Sequence, residues 1–129
     1  MTQKEQMLEL LNDTVAFYSA NPSRRAINNN EKCRYIADNG NKCAFSRLCS
    51  DEGAELLHKN KEGKGCHSAL EDEEFKARLG LKYPHLSIEF YLALQELHDA
   101  EYNWAPMGLT TIGEEKVERI KNNIETGFY

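Results

Sequence analysis

The sequence predicts a mainly α protein of the α+β class, with four or five helices packed on one small antiparallel β-hairpin near residues 32–46. Three observations predict it. Apolar residues recur at helical spacing in several stretches bounded by Pro and Gly. A period-two stretch around Asp38-Asn39-Gly40 reads as two short strands and a turn. No repeat, low-complexity tract or break in composition divides the 129 residues, so residues 1–129 form a single compact domain, and a 40% apolar fraction can fill a modest core.

Thr2-Gln3-Lys4-Glu5 is a capping box, in which Thr2 accepts a backbone N–H and Glu5 reaches back. Met7, Leu8, Leu11, Val15 and Tyr18 then form one apolar side of an amphipathic helix. Asn21-Pro22 stops it, because Pro lacks an amide donor and restricts the residue before it. Ser23-Arg24-Arg25 follows as a small basic patch suited to an acidic partner or phosphate, although two arginines near a helix end more often make ordinary surface contacts.

Residues 32–45 read as the hairpin. A three-residue loop, Asp38-Asn39-Gly40, with Gly40 left-handed, pairs Ala37 with Asn41, Tyr35 with Cys43 and Cys33 with Phe45. That register gathers Cys33, Tyr35, Ala37, Cys43 and Phe45 on one face and turns Arg34 and Lys42 away. A two-residue Asn39-Gly40 turn would place the two cysteines on opposite faces, a less coherent pattern.

Asp51-Glu52 opens a short helix through His58, followed by a basic loop, residues 59–65. Gly63-Lys64-Gly65 is no phosphate loop, since the GxxxxGK[ST] pattern and a preceding buried strand are missing. Ser68-Ala69-Leu70-Glu71 is a second capping box, leading a helix anchored by Leu70, Phe75 and Leu79 and stopped at Gly80. The acidic residues Glu71, Asp72, Glu73 and Glu74 suit the positive end of its dipole. The strongest central helix begins near Ser87 and buries Phe90, Ala93, Leu94, Leu97 and Trp104, with Ile88 and Tyr91 widening the stripe. His98 and Asp99, as neighbours, point to different azimuths and make no catalytic dyad, and His98 is placed to bond Glu101. Residues 103–108 form a connector. Thr111-Ile112-Gly113-Glu114 caps the last helix, whose stripe is Val117, Ile120 and Ile124. The terminal pair Phe128-Tyr129 either docks on the core or contributes a homodimer contact.

Cys33-Arg34-Tyr35, Gly40, Lys42-Cys43-Ala44-Phe45 and Leu48, followed by Leu94-Gln95-Glu96-Leu97-His98-Asp99 and Trp104, form a pattern over roughly residues 24–104. It resembles a widespread family of small uncharacterised phage and prophage proteins. Where that family commonly carries Cys-Ala-Val-Gly, this chain has Cys43-Ala44-Phe45-Ser46. The resemblance implies a phage or mobile-element origin and is silent on activity.

Cys33, Cys43, Cys49 and Cys66 have no CxxC spacing. With no export segment, reduced thiols are expected rather than disulfides. Cys33, Cys43 and Cys49 with Cys66 or His67 have suitable chemistry for zinc, but their spacing is not that of a zinc site. No metal or cofactor is assigned. The N-terminus lacks the apolar middle of a signal peptide, and no apolar run approaches the ~20 residues of a membrane span, so a soluble, cytoplasmic chain is expected.

Residues 1–66 carry 10 basic and 9 acidic side chains, net +1, and residues 67–129 carry 6 and 12, net -6. The acidic half disfavours nucleic acid and suits a basic protein partner, although such charge more often serves solubility. Compactness, this charge and the lack of a convincing catalytic constellation lead to protein interaction as the expectation, and the resemblance implies its form, a phage or mobile-element accessory protein that binds, modulates and in one form inhibits a host protein or defence component. Its candidate interaction residues are Arg24, Arg25, Arg34, Lys42, Asp99 and Glu101. One alternative is a small hydrolase or ligand-processing enzyme using His67 or His98 with nearby carboxylates. Another is nucleic-acid binding through Arg24, Arg25, Arg34, Lys42 and Lys64, with Tyr35 stacking.

Overall fold

A computed structural model describes residues 1–27, 34–61 and 64–129. The fold is mainly helical with a small antiparallel β-hairpin. The described residues hold seven α-helices rather than four or five: α1 (Gln3–Ala20), α2 (Ala44–Arg47), α3 (Asp51–Asn60), α4 (Cys66–Leu70), α5 (Glu73–Ala77), α6 (Ile88–Asp99) and α7 (Thr111–Glu125). Short 3-10 turns cover Pro22–Arg24 and Glu101–Asn103. No helix among the described residues is long and apolar enough to cross a membrane.

Two departures account for the extra helices. The stretch expected as one helix from Ser68 is two. Leu70, Phe75 and Leu79 are five and nine residues apart, which at 3.6 residues per turn spreads them around a cylinder instead of along one stripe. The chain solves this by ending α4 at Leu70 and restarting at Asp72, whose carboxylate accepts the Phe75 N–H at 3.1 Å. Helix α4 begins before the expected Ser68 cap, which places Cys66, Ala69 and Leu70 in the core.

The second departure is α2, where an outgoing strand was expected. The turn itself has the three-residue form: Ile36 bridges Lys42, the Ala37 N–H donates to Asn41 and the Cys43 N–H to Tyr35, and Gly40 has φ +88°. Tyr35, Ala37 and Cys43 are buried. Pairing then stops, because Cys43 caps a helix: its Sγ accepts the Ser46 N–H at 3.4 Å. Phe45 is fully buried from that helix and not as a strand partner of Cys33, which with Lys32 lies outside the described residues. The regular ladder is instead in the expected connector, where β1 (Trp104–Ala105) pairs β2 (Gly108–Leu109) as Trp104↔Leu109 and Ala105↔Gly108.

Helix α6 is the hub and packs against α1, α2, α4 and α7. Ser87 caps its first turn, the hydroxyl accepting the Phe90 N–H at 3.2 Å. Phe90, Tyr91, Leu94 and Leu97 meet Leu11 and Tyr18 of α1, Phe45 of α2 and Ile120 and Ile124 of α7 in one core. Gly53 lets α3 lie against the segment after α5, because a Cβ there would overlap the Leu79 carbonyl. Tyr129 closes on Phe90, ring centroids 5.7 Å apart, while Phe128 stays exposed.

Candidate functional site

Gln95, His98, Asp99 and Trp104 of the sequence motif meet Arg25 at the C-terminal end of α6. A helix end leaves backbone carbonyls without intrahelical donors, and Arg25 supplies donors for two of them. Its Nε donates to the His98 carbonyl at 2.7 Å and its Nη2 to the Asp99 carbonyl at 3.0 Å. The indole N–H of Trp104 donates to the Leu97 carbonyl at 2.9 Å. One turn back, Gln95 joins α6 to α2: its Oε1 accepts the Phe45 N–H at 3.0 Å and its Nε2 donates to Asp99 Oδ1 at 2.7 Å.

His98 and Asp99, expected to diverge, are hydrogen-bonded, with Nδ1 2.8 Å from Oδ1. The α-helix ends at Asp99, and the extended backbone of Ala100 follows. The other ring nitrogen, Nε2, accepts the Ala26 N–H at 3.1 Å. A backbone N–H can only donate, so Nε2 carries the lone pair and Nδ1 the proton. The imidazole is fully buried, with its ring 5.0 Å from that of Tyr18. Burial lowers its pKa, against the opposing pull of Asp99. A general base needs a lone pair that a substrate can reach, and here the lone pair is held by the backbone. His98 bonds Asp99 and not Glu101, and His67 is exposed on α4.

The thiols are likewise internal. Cys43, Cys49 and Cys66 are buried and free, and burial pushes them up to about 11, 12 and 12 respectively. Cys49 Sγ donates to the Phe45 carbonyl at 3.5 Å. Among the described residues no three His, Cys, Asp or Glu side chains gather as a metal site.

The six candidate interaction residues fall in different places. Arg25 and Asp99, both half-buried, belong to this junction, and Asp99 also lines the concavity that Leu92 and Glu96 face. Arg34 lies 3.9 Å from Asp38 beside the turn. Arg24 and Lys42 line a groove with Phe17, Gly40, Asn41 and Arg47. Glu101 is exposed on the 3-10 turn next to Tyr102.

Sequence reasoning missed the outward face of α6. Leu92, Glu96 and Ala100 lie four residues apart on the side away from Phe90, Leu94 and Leu97. Leu92 is 36% exposed, and Tyr102 and Ile112 beyond it are 62% and 53% exposed. Two concavities, of about 510 and 260 Å³, share Glu96 and Ala100. The first reaches Cys66 and Leu92, and the second reaches Tyr102, Ile112 and Arg119. An exposed Leu on the polar side of an amphipathic helix was the available signal.

The junction and the outward groove together define a small helical module in which Arg25, Gln95 and His98 bond backbone groups of distant segments while Leu92, Tyr102 and Ile112 are exposed beside its central helix. No protein-family model, curated protein or solved structure matches the chain.

Proposed function

We propose that the protein is a phage or mobile-element accessory protein that binds a host protein in the cytoplasm and modulates it, with inhibition of a defence or nucleic-acid-processing component as its specific form. The observation that carries the interaction is the outward face of α6 with the turn after it. Residues 88–103 contain four carboxylates and no Lys or Arg. Leu92, Ala100, Tyr102 and Ile112 add apolar surface within the same two concavities. Lys116 and Arg119 stand on the far wall, where Lys116 is 3.4 Å from Glu96. Aromatic and aliphatic anchors framed by charge are what a protein partner uses. The two concavities hold Glu96, Asp99 and Glu115 against Lys116 and Arg119, and the acidic larger one favours a partner segment that carries Lys or Arg beside its apolar anchors. The phage origin rests on the motif resemblance.

Affinity capture from host extract, followed by reconstitution with the purified partner, tests this function. The expected result is a reproducible complex that Leu92→Glu and Tyr102→Ala each weaken by about tenfold or more. Failure of any captured protein to bind again in purified form would overturn the function. A purified complex that both variants leave intact would remove the α6 face from it.

A further inference from the structure

The groove built on Phe17 is separate from the α6 face, and three cationic side chains line it. Arg24 and Arg47 both stand over the Phe17 ring, their guanidinium carbons 4.7 and 4.0 Å from its centroid. Lys42 closes the third side of a groove of about 210 Å³. We propose that this groove is an anion site that takes a phosphate monoester dianion.

Three features carry the assignment. The first is pre-organisation. Arg24 Nη1 donates to the Phe17 carbonyl at 3.1 Å and Arg47 Nη1 to Asp13 at 2.7 Å, so both guanidinium planes are already oriented over the ring. An Arg fixed in this way loses little rotamer freedom when a ligand arrives. The second is spacing. Asn41 Nδ2 donates to the carbonyls of Ser23 and Arg25 at 2.7 and 3.2 Å. This ties the turn carrying Lys42 to the segment carrying Arg24.

The third feature is charge balance. Asp13 and Asp51 each sit 2.7 Å from one of the cations, on Arg47 and Lys42. Arg24 makes no ion pair among the described residues and keeps four of its five N–H donors. A single carboxylate would duplicate the pairing that two of the cations already have. Three cations facing two carboxylates leave a net +1 that attracts an anion, and a phosphate monoester has three terminal oxygens to a carboxylate's two, so it can accept from all three cations at once.

Titration with inorganic phosphate, AMP and O-phosphoserine, followed by calorimetry and by the Arg Nε–H and Gly40 amide resonances, tests the site, with acetate at matched ionic strength as the control. Saturable binding is expected for phosphate and at least one ester, with shifts at Arg24, Arg47 and Gly40 that acetate does not produce. AMP binding alone would name a nucleotide as the source, and O-phosphoserine alone a phosphorylated side chain. Arg24→Gln, at an exposed position, should weaken binding about tenfold or more while amide protection in the middle of α6 stays at the wild-type level. Asp51→Asn removes the carboxylate 2.7 Å from Lys42, frees that ammonium and should tighten binding roughly threefold. Identical shifts with acetate, or an affinity that Arg24→Gln leaves unchanged, would overturn the proposal.

Discussion

The two sides of α6 differ in what their side chains do. On the inward side and at its end, Gln95 holds the Phe45 N–H of α2 and His98 the Ala26 N–H, Asp99 accepts from both of these side chains, and Arg25 covers the last carbonyls. On the outward side, Leu92, Glu96 and Ala100 are exposed or partly exposed above the two concavities. Gln95 and His98, which read as chemistry in the sequence, are therefore used by the fold internally. A buried polar group must be hydrogen-bonded, and a junction of three chain segments creates several such groups at one place. A surface for a partner can instead be made of ordinary Leu, Ala, Tyr and Ile.

Breaking the inward side should have the largest effect. Phe45 is fully buried, stacks edge-on with Tyr91 at 5.6 Å and sits where α2 meets α6. Phe45→Ala should cost ~3–5 kcal/mol in denaturant unfolding, because it removes an aromatic ring from a packed core. Lys42→Ala on the same segment loses only a surface pair with Asp51 and should change stability by no more than about 0.5 kcal/mol. Equal losses for the two variants would contradict the packing of α2 described above.

Next in size is His98→Leu, which retains much of the side-chain volume but leaves the Ala26 N–H without its acceptor. The expected loss is about 1–3 kcal/mol. Amide exchange should show Ala26 losing protection while the middle of α1 stays protected.

The same residue predicts a pH dependence. His98 is held neutral by burial, so its folded pKa lies below the ordinary value of 6.5. Below that value the unfolded chain gains a proton that the native ring resists. The contribution of His98 is therefore fully present above the ordinary value and lost as pH falls through the lowered one. Urea unfolding of the wild type across this range should show the midpoint falling with acid. His98→Leu should show a shallower fall, and parallel slopes would exclude His98 as the cause.

A smaller effect on stability is expected on the outward side of α6. Leu92→Ser should cost about 1 kcal/mol, well below Phe45→Ala, since the side chain is already 36% exposed. A loss comparable to that of Phe45→Ala would show that Leu92 belongs to the core and would erase the contrast between the two sides.

Where backbone groups find their partners within a few residues, the sequence alone determined the structure. Thr2 and Glu5 form the capping box that starts α1, and Ser87 starts α6. Gly40 provides the left-handed residue of the turn, whose pairing fixes Tyr35, Ala37 and Cys43 as inward. Each depends on a cap, a turn conformation or a short-range alternation that is written in adjacent letters.

Only the tertiary structure decided the rest. Cys43-Ala44-Phe45-Ser46 alternates well enough for a strand, yet it is a helix whose Phe45 N–H is accepted by Gln95, 50 residues away. Ser46 likewise sends its hydroxyl to the Tyr35 carbonyl at 2.6 Å. His98 reads as a candidate catalyst or recognition residue until Ala26, 72 residues earlier, is seen to occupy its free nitrogen. Spacing along the chain carries no information about such distant pairings. They exist because helix ends and loops brought into the core must bond to whatever polar group is packed beside them.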